Sequence, residues 1–268
     1  GATEQARADR TVSEVTKLHG MVMERYEGYR VRPLPIKTVG NASQRAQQRL
    51  SATWELMRME LPDRKSDIFS STKTLPNVPS LCLAYQRRAS ALCGATVADN
   101  SAWTVQYEGA ECLYLIISAM RDGDTNGLDY FSSREIGDVD GDQMPEILDA
   151  WGTPISFLRW APGFVSKMQE CNPATQPDPF DPFKLYASHF ALVPLIFSAG
   201  PDKAFDIAVD GSTPIVYSAL QLPNCPYAPY VTPPSTTLTT ALGSAADANT
   251  NGRDDSQDNI TNHFIEVR

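Results

Sequence analysis

Apolar residues recur every three or four positions at Val12, Val15, Leu18, Val22, Tyr26 and Tyr29, the spacing of one face of an α-helix. The pairs Arg10/Glu14 and Glu14/Lys17 stand off that stripe at helical spacing and support the same element. The pattern predicts one helix over residues 2–29, stopped by Gly28 and by Pro33 and Pro35 of the "RPLP" run. At 1.5 Å per residue such a helix is roughly 40 Å long. Its opening, Ala2 to Arg10, carries only alanines as apolar residues. That part has no core to cover and is expected to project beyond the body of the protein.

The periodicity stays helical through residues 41–121, in "NASQRAQQRLSATWELMRMEL", "PSLCLAYQRRASALC" and "GAECLYLIISAM". Pro- and Ser-containing loops separate these segments. After Asp122 the character changes to Gly, Pro and Asp with short β-type runs, "PISFLRW", "HFALVPLIFSAG", "TPIVYSAL" and "NHFIEVR". The expected fold is a single α+β domain: a long N-terminal helix packed on an antiparallel sheet, with an inserted helical region at 41–121 and a sheet region at 145–268. Within the latter, residues 221–258 read as a long acidic loop, because prolines interrupt any strand ladder there.

Composition narrows the function. The chain has 268 residues, 42% of them hydrophobic, enough for a sizeable core. A net charge of −9 and a pI near 4.8 oppose phosphate backbones, so nucleic acid is not expected as a partner. No window approaches the roughly 20 continuous apolar residues of a membrane span. The five cysteines include no C-x-x-C pair, and three histidines are few for a zinc site. Cys82 and Cys93 are expected to pair if the protein is exported to an oxidising compartment; two buried thiols are the alternative.

Signatures of hydrolases, nucleotide binding and zinc proteases are absent: there is no G-x-S-x-G, P-loop, G-x-G-x-x-G or H-E-x-x-H. The stronger pattern is one of oxygen ligands. Calcium takes six to eight hard oxygens, and Asp or Asn at every second residue of a tight loop supplies them. Three stretches do so. "DGDTNGLDYFSS" places Asp122, Asp124 and Asn126 at positions one, three and five, with Gly127 at six. "DVDGDQMPEILD" places Asp138, Asp140 and Asp142 likewise, with Gln143 at six, Glu146 at nine and Asp149 at twelve. "DANTNGRDDSQD" offers Asp247, Asn249, Asn251, Gly252, Asp255 and Asp258. Asp, Asn and Gly are also what ordinary turns are made of, so each loop has a plain reading as a solvated turn.

"DAWGTPISFLRWAPG" (Asp149 to Gly163) resembles the D-x-W-G-x-P strand entry of the major pseudopilin of type II secretion and related type IV pilin-like proteins. "FSAGPD" (Phe197 to Asp202) and "DNITNHF" (Asp258 to Phe264) resemble that family's Ser-x-Gly-x-Asp loop and terminal Asp-Ile-x-Asn segment. The opening thirty-five residues resemble the soluble half of the pilin N-terminal helix. About a hundred residues intervene between that helix and the Trp-Gly turn, where the family has a short connection.

The resemblance implies a non-catalytic structural subunit or tip component of a pseudopilus or type IV pilus-like assembly. It would pack with other pilin-like subunits through the N-terminal helix and be anchored to the membrane by an apolar helix upstream, in the cell envelope, periplasmic or extracellular. It also implies a calcium site matched by Asp202 and Asp258, with Ser198; Asp254 and Asp255 are added by chemistry alone. A calcium-dependent extracellular module that binds a glycan or protein is the second expectation, and a hydrolase the third.

Overall fold

The computed structural model describes residues 1–187, 189–209, 242–246 and 256–265. Helix α1 runs over Ala2–Gly28, and its stripe Val15, Leu18, Val22 and Tyr26 is buried at 0–4% exposure. Val12 is not part of that buried face, being 37% exposed. Residues 2–10 lie outside the core, as the missing apolar stripe foretells.

The inserted region is α2 (Ala42–Glu60), α3 (Lys65–Ile68), α4 (Ser80–Cys93) and α5 (Glu108–Ser118). Helix α2 starts in a reciprocal cap: the Gln44 amide donates to the Asn41 side chain, and the Asn41 amide donates to the Gln44 side chain, both at 2.9 Å. Helix α4 stops at Gly94, which takes the left-handed conformation. Helix α5 is apolar almost all round and buries every residue from Ala110 to Ile117.

The strands are short. β1 (Arg121–Asp122) and β2 (Thr125–Asn126) form one hairpin; β3 (Ile136–Gly137) and β4 (Glu146–Ile147) form a second. β5 (Ser156–Leu158), β6 (Leu195–Ser198) and β7 (Ile260–Thr261) make an antiparallel sheet in that order. Helix α1 packs on β6 and β7, and α5 packs on β4 and β5. The molecule is therefore mixed α and β, a long N-terminal helix with small antiparallel sheets.

The expected strand "NHFIEVR" is not one over its described part. After Thr261 the chain turns, and the Asn262 side chain takes over the pairing by accepting from the Ile196 amide at 2.8 Å. The run "TPIVYSAL" lies outside the described residues.

Two features tie the helical layer to the sheet. Arg159, at the end of β5 and 1% exposed, donates to the Leu61 carbonyl at 2.8 Å and to Asp67 at 3.0 Å, and its amide donates to Asp63 at 3.0 Å. A buried guanidinium is costly unless its charge is matched, and here Asp63 and Asp67 match it. The Trp-Gly turn docks on α1 instead of serving a ligand: the Ala150 amide donates to Thr11 and the Trp151 indole to Glu4.

The expected Cys82–Cys93 disulfide does not form. The two residues stand near opposite ends of α4, and eleven residues of helix separate them by roughly 16 Å, whereas a disulfide needs Cα atoms within about 7 Å. Both thiols are buried and free, as are Cys112 and the half-buried Cys171. The Cys82 thiol donates to the Ile68 carbonyl and the Cys93 thiol to that of Ala89.

Candidate metal centre

Hairpin β3–β4 carries its acids in a tight loop, held open by left-handed backbone at Gly141 (φ +82°) and Gln143 (φ +78°). Gln143 thus supplies, without a glycine, the sharp turn that a calcium loop needs at its sixth position. The loop is knitted by its own aspartates. Asp138 accepts from the amides of Gly141 and Gln143 at 2.7 and 3.0 Å, and Asp142 accepts from the Met144 amide at 2.8 Å. The segment before α5 joins in: the Thr104 amide donates to Asp142 and its hydroxyl to Asp140, each at 2.6 Å.

Two glutamates close on the loop. Glu146, on β4, accepts from the Val139 amide through Oε2 at 3.0 Å. Glu111, on α5, accepts from the Trp103 indole through Oε2. The second oxygen of each, Oε1, is buried without a hydrogen-bond partner. Both side chains are fully buried, Asp142 is nearly so, Asp140 is half-buried and Asp138 is exposed.

Carboxylate oxygens of Glu111, Asp140 and Glu146 lie within 4.8 Å of one another, and so do those of Asp138, Asp140 and Asp142. Asp140 belongs to both groups. These are the groups of three metal-ligating side chains among the described residues, and neither includes a Cys or His. A divalent cation can be held there.

The electrostatics point the same way. Burial pushes Glu111 up to about 10 against the opposing Trp103 hydrogen bond, and Asp142, Asp140 and Glu146 add to the rise. Burial likewise pushes Glu146 up to about 8 against the Val139 amide, with Asp140, Asp138 and Asp142 adding. Among the described residues no Lys or Arg forms an ion pair with any of these five acids. Without a cation the two glutamates therefore keep their protons at neutral pH, since burial and the neighbouring aspartates oppose their ionisation and no basic side chain offsets them.

The other expected ligands fare differently. Asp122, Asp124 and Asn126 do not form a metal loop. Gly123 (φ +58°) and Asp124 make the two-residue turn of a β-hairpin, Arg121 pairing with Asn126 and Asp122 with Thr125. Asn126 caps the turn Gly127–Tyr130 by accepting from the Leu128 amide, and Asp122 accepts from the Tyr130 hydroxyl.

Ser198 is also engaged elsewhere: its hydroxyl donates to Asp149 at 2.6 Å and accepts from the Gly200 amide. Asp149 additionally accepts from the amides of Trp151 and Thr153, so the twelfth position of the acidic loop faces the Trp-Gly turn. The segments bearing Asp202 and Asp258 do meet. A Cβ on Gly200 would stand 2.5 Å from the Asp258 carbonyl oxygen. Asp202 itself is exposed and accepts from the Ala204 amide. Asp247, Asn249, Asn251, Asp254 and Asp255 lie outside the described residues.

Glu111 is the candidate ligand that sequence reading missed. Its signal was its setting, a single acid in the apolar run "GAECLYLIIS": an acid inside a stretch buried on all sides must itself be buried, and a buried acid needs a partner. No protein-family model, curated protein or solved structure matches this chain.

Proposed function

We propose that the protein is a non-catalytic structural subunit of a pilin-like or pseudopilus assembly of the cell envelope, stabilised by calcium. The observation that carries this reading is the division of α1. Its second half is the buried cover of β6 and β7, while residues 2–10 are a stem outside the core. Helical turns that bury no apolar side chain add little to the monomer, since isolated helical turns are marginal in water and the ties of the stem to the body are polar, Trp151 to Glu4 and Arg10 to Glu135. The gain comes from a neighbouring helix. In this reading the partners are other pilin-like subunits along the stem, and a membrane reached through an apolar segment preceding it.

The test is site-specific photo-crosslinking of the concentrated protein from Ala6, on the stem, against Val97 on a remote loop. Adducts between copies, or with another helical subunit, at Ala6 and not at Val97 are expected; equal yields at the two positions would defeat the proposal.

A second reading, a module that binds a glycan or protein, has one observation in its favour. A groove of about 460 Å³ is lined by Ala42, Arg45, Arg49, Leu185 and the 74% exposed ring of Phe183. Loss of partner capture on Phe183→Ala, with crosslinking from Ala6 absent, would favour that reading.

A further inference from the structure

We infer that Glu111, Asp138, Asp140, Asp142 and Glu146 form a single calcium site in which a helix supplies the closing ligand of a hairpin loop. The inference deepens the calcium-stabilised reading above and names the residues that hold the ion. It is separate from the positions Asp202 and Asp258 that the pilin resemblance marks.

Three observations converge. The first is an unmet acceptor: Glu111 and Glu146 each give one oxygen to a fixed donor and leave the other buried and unpartnered, and each carboxylate has an oxygen within 4.8 Å of Asp140. A buried acceptor without a partner is destabilising, so its persistence on two neighbouring side chains asks for a shared partner. The second is spacing. Calcium binds oxygens at about 2.3–2.6 Å, so ligands on opposite sides of the ion are about 5 Å apart, matching acid groups whose oxygens lie within 4.8 Å of one another. The third is order in the chain. A calcium loop takes ligands at positions one, three and five, turns sharply at six, and is closed by a bidentate acid at twelve. Here Asp138, Asp140 and Asp142 fill the first three, Gln143 makes the turn, and Asp149 at twelve is held away by Ser198. Glu111 reaches in from α5 to close the shell.

The donor set selects the ion. Carboxylate oxygens alone, without Cys or His, suit a hard cation over zinc or copper. Magnesium demands near-ideal octahedral geometry and keeps its waters, so a cage of several carboxylates drawn from a helix and a hairpin favours calcium.

The test uses the whole chain, stripped with chelator and exchanged into chelator-free buffer, titrated with CaCl2 and with MgCl2 by calorimetry. TbCl3 luminescence excited through tryptophan, with Trp103 beside the site, gives a second readout. Saturable calcium uptake is expected, with magnesium at least tenfold weaker. Glu111→Gln and Asp140→Asn should each weaken calcium at least tenfold, while Asp258→Asn leaves this uptake unchanged. Should Glu111→Gln disturb the far-UV spectrum, Asp138→Asn, at an exposed position, serves in its place with the same expectation. No uptake at millimolar calcium, or less than a threefold change in these loop and helix variants, would overturn the site. Neither outcome bears on crosslinking from Ala6, so the assembly role stands or falls separately.

Discussion

Two acidic loops of similar composition lie close together in the chain, and they do opposite things. Asp122, Asp124 and Asn126 make a hairpin turn in which Asn126 caps the turn that follows and Asp122 accepts from the Tyr130 hydroxyl. Asp138, Asp140 and Asp142 make a loop backed by two buried glutamates and stitched to Thr104. The difference does not come from the aspartates. It comes from what faces them: the first hairpin meets the C-terminal end of α5, where Asn126 donates to the Ser118 carbonyl at 2.9 Å, while the second meets the buried acid Glu111 of that helix. An alternation of acids is thus a local signal, whereas a metal site is a tertiary one.

The largest effect expected is on stability. A ligand that binds only the folded state at a hundredfold excess over its Kd stabilises by about 2.7 kcal/mol, which corresponds to roughly 5–10 °C in Tm for a chain of this size. Calcium should raise Tm by that order in the wild type, and Asp140→Asn should remove most of the rise. Glu111→Gln conserves volume and should change little without the ion while cancelling the gain with it. Calorimetric scans in chelator and in calcium check both.

The segment joining the two loops offers a test that is independent of metal. Glu135 lies there and pairs with Arg10 of α1, which also pairs with Glu14. Burial, reinforced by Glu135, pushes Glu14 up to about 7 despite Arg10. The folded protein therefore holds this proton more tightly than the unfolded chain does. The resulting stability is fully present below the ordinary pKa of 4.5 and is lost as pH rises through about 7. The loss is about 3–4 kcal/mol, since each tenfold gain in proton affinity is worth roughly 1.4 kcal/mol. Glu14→Gln should flatten that slope in urea unfolding measured between pH 4 and pH 8. A slope equally steep in the variant would assign it to other groups.

Smaller effects sharpen the contrast. Asn126→Ala removes a cap and should cost about 1 kcal/mol, equally with and without calcium, as chemical denaturation would show. Asp124→Asn, exposed in the hairpin turn, should leave both Tm and its calcium response unchanged. A calcium response lost with Asp124→Asn would erase the distinction between the two loops.

What could be read from the residues alone follows the same division. The stripe from Val15 to Tyr29, the helices of the inserted region and the bare stem were legible because helical periodicity is a property of neighbours in sequence. The strands around Phe157 and Ile196 were legible as apolar runs. Lost were the pairings that distance along the chain conceals: Glu111 with the acidic loop, Arg159 with Asp63 and Asp67, and Asn262 standing in for a strand. The Cys82–Cys93 expectation failed for a related reason. It took the two thiols to lie in one helical hairpin, whereas Ser80–Cys93 is a continuous helix that holds them apart.

The stitch from Thr104 to Asp142 spans 38 residues of chain, and Glu111 joins the same cluster from a third segment. An ion seated there is assembled only after α5, its leading loop and the second hairpin have already met. It is therefore bound late, on the native side of the folding barrier, and its free energy appears mainly as slower unfolding rather than faster folding. Under the proposal, a bound calcium would act as a latch on a door already shut, lengthening the lifetime of the folded protein while leaving the rate at which it is made almost untouched.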